Sequence, residues 1–169
     1  MELVDNNSSE QRGNGVSLNR AVNMLDPTLK LPDSRPDYLL WHGDVERLLD
    51  RLPKEPLFDL VVTSPPYNLG KSYETIVTMD EYRRWQARII RKIVPRLKST
   101  GSICWQVGNY TASNGGGERG SIHPLDYLFH PLFEKHGLIL RNRIVWRFGH
   151  GLHNRYRFSG RYEVVLWYT

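Results

Sequence analysis

The fold is decided by the stretch Asp59-Leu60-Val61-Val62-Thr63-Ser64-Pro65-Pro66-Tyr67-Asn68. Residues 60–63 are apolar or β-branched, and this composition predicts a short buried strand. The two prolines that follow fix φ and donate no hydrogen bond, so the backbone carbonyls beside them are held as acceptors. Ser64 adds a hydroxyl acceptor, and Tyr67 adds a flat aromatic face. Together these groups suit a planar amino group, whose hydrogens they accept while the ring stacks on its base.

The segments before this strand predict a βαβ unit. Residues 38–42 are a strand candidate, Gly43-Asp44 makes a turn, and residues 45–52 have the apolar spacing of a helix. Strand, helix and strand in this order are typical of an α/β sheet, where functional residues gather at the carboxyl ends of the strands. Asp44 lies where the first strand meets the helix, a position at which aspartate caps helices.

Helices and strands also alternate after the turn. Thr78 and Glu81 match a capping box, and the helix that they begin is expected to run to about Leu97. Further strands are predicted at residues 101–108 and 137–146, with a helix between them in the segment from His123 to His136. The chain therefore reads as an α/β protein over most of its length.

Two segments are interpreted as weakly organised or irregular. Residues 1–36 are polar and contain several prolines, with one short helix predicted at residues 17–25. Residues 108–123 are predicted to form a polar loop, in which residues 115–120 satisfy a Gly-x-Gly-x-x-Gly pattern. A real dinucleotide-binding fingerprint leaves a strand directly and opens a helix, so we interpret these glycines as a flexible loop.

Composition describes an ordinary globular chain with a basic balance. The 169 residues are 40% hydrophobic and 24% charged, with a net charge of +5 and a pI near 9.4. This charge favours an anionic partner. The single cysteine, Cys104, excludes an internal disulfide and is interpreted as a core residue. No apolar run has the length of a membrane span, so we expect no membrane partner and a cytoplasmic location.

The basic residues concentrate near the end of the sequence. No acidic residue occurs from Lys135 to Tyr162, where arginines alternate with aromatic residues. Arginine among aromatic residues suits phosphate contact and base stacking. Two histidines, His150 and His153, lie in the same segment without a carboxylate, so they are interpreted as loop residues and no metal is expected.

The motif Thr63-Ser64-Pro65-Pro66-Tyr67-Asn68 resembles the (Asp/Asn/Ser)-Pro-Pro-(Tyr/Phe/Trp) signature of the DNA amino-methyltransferases. These enzymes methylate cytosine N4 or adenine N6 with S-adenosylmethionine. The resemblance continues through Asn68 to Tyr73, which is similar to the Asn-x-Gly-Lys-x-Tyr of a subset of the family. It ends in the strand from Arg161 to Tyr168, whose Arg-Tyr-Glu is similar to a late family strand in which Glu163 would have a structural role.

The resemblance implies a Rossmann-like S-adenosylmethionine-dependent methyltransferase fold. The order of its parts is similar to the permuted class, in which the catalytic half precedes the cofactor's glycine motif. That motif is missing from this sequence, so we expect an incomplete fold: a flexible leader at residues 1–36 and a catalytic half at residues 37–169. A complementary C-terminal half or a second subunit is then the expected partner, beside double-stranded DNA.

The same resemblance implies the site residues and their roles. The target base leaves the duplex, Tyr67 stacks on it, and Ser64 and the Pro65 carbonyl accept hydrogen bonds from its amino group. A serine rather than an aspartate at position 64 favours cytosine N4, and adenine N6 stays open. The predicted site consists of catalytic Ser64, Pro65, Pro66 and Tyr67, cofactor-binding Asp44, Ser64 and Pro65, and DNA-binding Asn68, Lys71, Arg147, Arg155 and Arg157.

Other functions fit parts of the sequence. A protein-glutamine or RNA methyltransferase can carry a similar Pro-Pro-Tyr motif, but usually with the glycine motif upstream. An inactive DNA-binding fragment, or one subunit of a split methyltransferase, would explain the basic segment without methyl transfer by this chain alone. A purely structural module would leave the Ser-Pro-Pro-Tyr turn unexplained.

Overall fold

The computed structural model describes residues 21–24, 38–111, 121–149 and 158–169. It divides the chain into two compact units, Met1–Asp44 and Val45–Thr169. In the first unit, strand β1 (Ala21–Met24) pairs in parallel with β2 (Tyr38–Trp41). The predicted division into a leader at residues 1–36 and a catalytic half at residues 37–169 stays a prediction.

The helix predicted at residues 17–25 is wrong where the structure describes it, because residues 21–24 form strand β1. An isolated helix of so few residues is marginal, since nucleation costs more than a short run of hydrogen bonds returns. Pairing with a neighbouring strand satisfies the same backbone groups through a non-local contact. The remaining residues of the predicted helix lie outside the described residues.

The second unit is an α/β arrangement, as predicted. Its elements are α1 (Val45–Arg51), β3 (Phe58–Thr63), α2 (Met79–Ile93), β4 (Leu97–Val107), β5 (Asn109–Thr111), β6 (Ile122–Pro124), α3 (Leu125–Glu134), β7 (Leu140–Arg147) and β8 (Tyr162–Tyr168). The main sheet has the order β3-β4-β8-β7, with β3 parallel to β4 and the other pairs antiparallel. Strands β5 and β6 form a small antiparallel pair at the two ends of the predicted loop, whose glycine-rich centre lies outside the described residues.

One face of the sheet carries the core. Alternate residues of β4 and β8 point to this face and are buried, among them Ile103, Trp105, Leu166 and Tyr168. Helices α2 and α3 supply the opposing apolar residues, and Phe133 stacks on Tyr168 with ring centroids 4.3 Å apart. Each large side chain buried in this way stabilises the fold by roughly 1.5–3 kcal/mol.

The opposite face of the sheet is largely exposed. Register pairs Val62 with Cys104 and Cys104 with Trp167, so these three side chains lie in one row across β3, β4 and β8. Val62 is 69% exposed and Trp167 is 37% exposed. Cys104, predicted to be a core residue, is only partly buried in this row. An exposed apolar row of this kind indicates a surface that another layer can cover.

Helix α2 begins as the sequence predicts and ends earlier. The Thr78 hydroxyl accepts from the Glu81 N–H while the Glu81 carboxylate accepts from the Thr78 N–H, which confirms the capping box. The helix was expected to reach Leu97 but ends at Ile93, where Pro95 lies in a 3₁₀ turn and Leu97 already begins β4. Proline lacks the N–H that an α-helical interior requires.

A buried arginine holds the end of α2 against α1. Arg96 is 3% exposed, and its guanidinium donates to the carbonyls of Lys92 at 2.5 Å, Leu49 at 2.6 Å and Leu52 at 2.8 Å. The Arg96 carbonyl in turn accepts from the Leu57 N–H at 2.7 Å, directly before β3. This contact therefore positions the strand that leads into the Ser-Pro-Pro-Tyr turn.

The cationic face of α2 was interpreted first as solvated and second as a DNA surface. Arg88 and Lys92 instead pair with acidic residues of α1: Arg88 with Glu46, and Lys92 with Glu46 and Asp50. Within the described residues, no helix is both long and apolar enough to cross a membrane.

Candidate active site

The Ser-Pro-Pro-Tyr turn lies at the carboxyl end of β3. Ser64 is exposed, whereas Pro65 is buried and begins the descent of the chain toward α2. The Tyr82 hydroxyl donates to the Pro66 carbonyl from the buried face of α2. The Pro66 carbonyl is therefore used within the fold, and this anchor holds the turn in place.

Tyr67 is held by residues that come from three parts of the chain. Its hydroxyl lies 3.0 Å from the Ser64 hydroxyl and 3.0 Å from Oε2 of Glu163 on β8. Nε2 of Gln106, near the end of β4, donates to the same carboxylate oxygen at 2.6 Å. Burial raises the pKa of the Tyr67 phenol to about 12; the hydrogen bond with Ser64 opposes this rise and the Glu163 charge adds to it. Tyr67 therefore keeps its proton at neutral pH.

Gly108 leaves room for the Tyr67 ring. A Cβ at position 108 would lie 3.2 Å from Cε2 of Tyr67 and 3.6 Å from Cγ of Glu163. Contacts as short as the first are tighter than packed side chains accept without moving. The glycine directly after β4 is therefore part of the site's construction.

Two side chains brace the loop that follows Tyr67. Asn68, at φ 61° and 3% exposed, forms a two-way contact through its amide with the backbone N–H and carbonyl of Val77. The Glu74 carboxylate accepts from the backbone N–H groups of Asn68, Leu69 and Lys71. Asparagine tolerates this left-handed backbone better than most residues. The loop is thus closed on itself by polar contacts.

A wide open cavity of about 480 Å³ lies beside the turn. Of the predicted site residues, the structure brings Ser64, Pro65, Pro66, Tyr67 and Lys71 together in its lining. Its other lining residues are Leu69, Tyr73, Glu74 and Glu163. Hydroxyl and aromatic groups at a strand's carboxyl end can bind a planar polar ring and orient its amino group.

The other predicted residues lie apart from this cavity or outside the described residues. Asp44 belongs to the first unit, where its carbonyl accepts from Nε1 of Trp41 at 3.2 Å. Arg147 is exposed at the end of β7, and Arg155 and Arg157 lie outside the described residues. Asn68 uses its amide inside the loop, as described above. The cofactor and DNA contacts predicted for these residues stay predictions.

Sequence reasoning missed three residues of the site. Glu163 was predicted to be structural, and Gln106 and Gly108 were given no role; the structure places all three against Tyr67 or its partner. The Arg-Tyr-Glu pattern was the available signal for Glu163. No local signal marks Gln106, because its contact depends on the pairing of β4 with β8.

A smaller cavity of about 270 Å³ lies on the other side of Glu163. It is lined in part by Gly108, Asn109 and Tyr162, and by an ion pair between Arg143 and Asp126. In the described part of the chain, His, Cys, Asp and Glu form no group of three or more that could hold a metal ion. His150 and His153 lie outside that part.

Comparison with known proteins gives consistent matches. The family model described as DNA methylase matches residues 58–169. The type II methyltransferase M.BglII of Bacillus subtilis is 44% identical over 130 residues, which are 77% of this chain and 34% of that protein. The PvuII DNA methyltransferase (cytosine-N4-specific) superposes with a TM-score of 0.59 at 19% identity, over 75% of this chain and 47% of that one.

A DNA modification methylase of Thermus thermophilus, TTHA0409, was solved in complex with S-adenosyl-L-methionine. It has a TM-score of 0.57 at 22% identity, over 75% of this chain and 50% of that one. These superpositions confirm the expected Rossmann-like fold. The chain spans 34% and 41% of the lengths of two curated relatives.

Proposed function

The chain belongs to the DNA methylase family, and we propose that it forms the catalytic part of a site-specific DNA methyltransferase. A methyl group would pass from S-adenosylmethionine to the exocyclic amino group of a base that has left the duplex. Cytosine N4 is the proposed target in preference to adenine N6. Double-stranded DNA is the proposed substrate, with restriction-modification as the context and the cytoplasm as the location.

One observation carries this proposal: Ser64 and Tyr67 meet Glu163 at the rim of a cavity, at the carboxyl end of β3. The Tyr67 ring is fixed by its own hydroxyl, so it offers a rigid platform on which a flipped base can stack. Ser64 is exposed beside it and provides an oxygen for the amino group. Holding a base in this way converts a diffusional encounter into an oriented one.

The chain's own residues prepare the amino group for reaction. Hydrogen bonds from the amino group to Ser64 and the Pro65 carbonyl would draw its nitrogen out of conjugation with the ring, which concentrates the lone pair on nitrogen. Tyr67 keeps the base plane fixed during this change. Positioning and electrostatics of this kind account for much of enzymatic catalysis.

The cavity fits the reacting end of S-adenosylmethionine. The sulfonium of this cofactor is cationic, and the cavity is lined by the acidic residues Glu74 and Glu163 and the aromatic residues Tyr67 and Tyr73. Carboxylates and aromatic rings both stabilise a cation. When bound, the cofactor supplies the electrophilic methyl group. Asp44, Ser64 and Pro65 are the proposed cofactor contacts.

The choice of cytosine N4 rests on Ser64. In the resembled signature the first position is aspartate, asparagine or serine, and serine favours cytosine. The chain assigns a neutral oxygen to the position that meets the amino group, because the nearest carboxylate, Glu163, contacts Tyr67 instead. The similarity to a cytosine-N4-specific enzyme in fold is compatible with this choice.

A direct assay tests the activity. The full chain is incubated with labelled S-adenosylmethionine and unmethylated genomic DNA, and the digested nucleosides are resolved by mass spectrometry. We expect N4-methylcytosine, lost in Ser64→Ala and retained in the matched control Ser99→Ala, which is exposed near the other end of β4. N6-methyladenine alone would contradict the cytosine assignment. Equal yields from both variants would contradict the role of Ser64.

A second candidate, a subunit or half that needs a partner, is favoured by the exposed apolar row. Val62 and Trp167 lie on the uncovered face of the sheet, and the curated relatives are much longer than this chain. We propose that a complementary C-terminal half or a second subunit covers this face. Equilibrium dialysis with labelled S-adenosylmethionine distinguishes the two candidates, because a chain sufficient for activity must bind it saturably. Binding reduced by Asp44→Ala but not by Asp59→Ala would support the first candidate.

DNA binding has its own test. Lys71 and Arg147 are exposed cations proposed to contact phosphates, together with Asn68, Arg155 and Arg157. Each phosphate contact that is lost lowers the slope of log binding constant against log salt by about 0.9. We expect Arg147→Ala to reduce this slope by about one contact, and Arg91→Ala, on the exposed face of α2, to leave it unchanged. Retention of DNA by Ser64→Ala without methyl transfer would favour an inactive binding fragment.

A further inference from the structure

Four side chains form one hydrogen-bonded chain that ends at the cavity. Gln106 Nε2 lies 2.6 Å from Glu163 Oε2, the Tyr67 hydroxyl lies 3.0 Å from that same oxygen, and the Ser64 hydroxyl lies 3.0 Å from the Tyr67 hydroxyl. Gln106, Glu163 and Tyr67 are only partly exposed, whereas Ser64 faces solvent. The chain of contacts thus runs from the interior of the sheet outward.

The chemistry of these groups gives the chain a direction. The Glu163 carboxylate has no hydrogen to donate, so both of its neighbours must donate to it. The phenol of Tyr67 has one hydrogen, and that hydrogen is committed to Glu163. In the contact between Ser64 and Tyr67, therefore, the serine must be the donor and the phenol oxygen the acceptor. The Ser64 hydrogen points inward, and its lone pairs are left facing the cavity.

We propose that Glu163 is a positioning residue that, through the Tyr67 hydroxyl, holds Ser64 as a hydrogen-bond acceptor for the amino group of the target base. This inference rests on the proposed function and deepens it. A free serine hydroxyl rotates and can donate as readily as accept. Directed by Glu163, it behaves toward an amino group as a carboxylate oxygen would, without bringing a charge to the base.

The strands make this arrangement rigid. Glu163 lies on β8 beside the paired residues Val107 and Val164, and Gln106 lies on the neighbouring strand β4. Gly108 lets the Tyr67 ring approach, as its distances show. Burial and the Glu163 charge also raise the pKa of Tyr67 to about 12, which supports a phenol that keeps the hydrogen it donates. Functional groups supported on strands are placed more accurately than groups on loops alone.

The first test measures the chain of hydrogen bonds without requiring activity. Full-length protein labelled with ¹³Cζ-tyrosine is titrated by NMR, and the Tyr67 resonance is identified by its absence in Tyr67→Phe. Glu163→Gln keeps the shape of the side chain but removes its charge and its obligatory acceptor role. We expect a downward shift of the Tyr67 titration midpoint and a changed Cζ shift at neutral pH. The matched control Glu134→Gln, an exposed glutamate that pairs with His130, should change neither.

The second test measures function by a double-mutant cycle. Glu163→Gln and Tyr67→Phe should each lower kcat about tenfold, the effect of one misdirected hydrogen bond, with KM for DNA and for S-adenosylmethionine nearly unchanged. Phenylalanine retains the stacking ring, so the loss reports the hydroxyl. Because both changes interrupt the same chain, the double variant should lose no more than either single variant.

The outcomes separate this inference from the proposed function. A wild-type chain that transfers no methyl group contradicts stand-alone activity, and the NMR titration then decides the hydrogen-bond order by itself. A Tyr67 resonance that is the same in wild type and Glu163→Gln overturns the inference. Multiplicative losses in the double variant, or an unchanged kcat in Glu163→Gln, overturn it in an active chain.

Discussion

Replacing Arg96 by methionine tests how the end of helix α2 is held. The guanidinium is 3% exposed and donates to three backbone carbonyls at 2.5, 2.6 and 2.8 Å. Methionine keeps a long unbranched stem and removes the charge and the donors. The carbonyls of Leu49, Leu52 and Lys92 would then lose a partner that water replaces only in part.

The magnitude follows from the burial of these carbonyls. The contact with Leu49 is buried, and leaving a buried acceptor unsatisfied costs about 1–3 kcal/mol. The contacts with Leu52 and Lys92 are partly buried, so each contributes about 0.5–1 kcal/mol. Removing the charge also removes its desolvation cost, and the buried Nε of Arg96 has no hydrogen-bond partner among the described residues. We therefore expect the free energy of unfolding to fall by about 3 kcal/mol.

Urea unfolding of the full chain, followed by tryptophan fluorescence and far-UV circular dichroism, measures this change. Arg91→Met is the matched control, because Arg91 lies on the exposed side of α2, and it should stay within about 0.5 kcal/mol of wild type. Arg96→Lys keeps a charge but not the planar fork, so its loss should lie between those of the other two variants. An Arg96→Met chain as stable as wild type would refute this account of the contact.

Three further predictions concern single sites. Gly108→Ala places a Cβ 3.2 Å from the Tyr67 ring, so we expect the Tyr67 ¹³Cζ resonance to shift while the far-UV spectrum is unchanged; an unmoved resonance would contradict the close packing. Hydrogen bonds from Thr78 lower the pKa of Glu81, so the stabilisation that they give is present above the unfolded-state pKa of glutamate and is lost as pH falls through the lowered folded-state value. Thr78→Ala should therefore flatten the acid limb of a plot of stability against pH, and an unaltered limb would exclude this cause. Burial raises the pKa of the Cys104 thiol, so iodoacetamide followed by mass spectrometry should modify it more slowly in the folded chain than in urea, and equal rates would contradict its partial burial.

The sequence predicted the elements whose signals are local. A β-branched run followed by Pro-Pro gave strand β3 and its turn, and Thr78 with Glu81 gave the start of α2. Strand β8 was recognisable from its apolar run after Arg-Tyr-Glu. The family was also readable, because the motif that carries it is a continuous stretch of residues.

Tertiary structure decided the rest, because the deciding contacts join residues far apart in the chain. Residues 21–24 form a strand only because β2 pairs with them, and Leu97 joins β4 rather than the preceding helix. The site depends most on such contacts: Tyr67 and Glu163 are 96 positions apart, and only the pairing of β4 with β8 brings Glu163 to the phenol. Local composition determined which residues could accept, donate or stack, whereas the direction of their hydrogen bonds depended on a carboxylate that the folded sheet supplies from another strand.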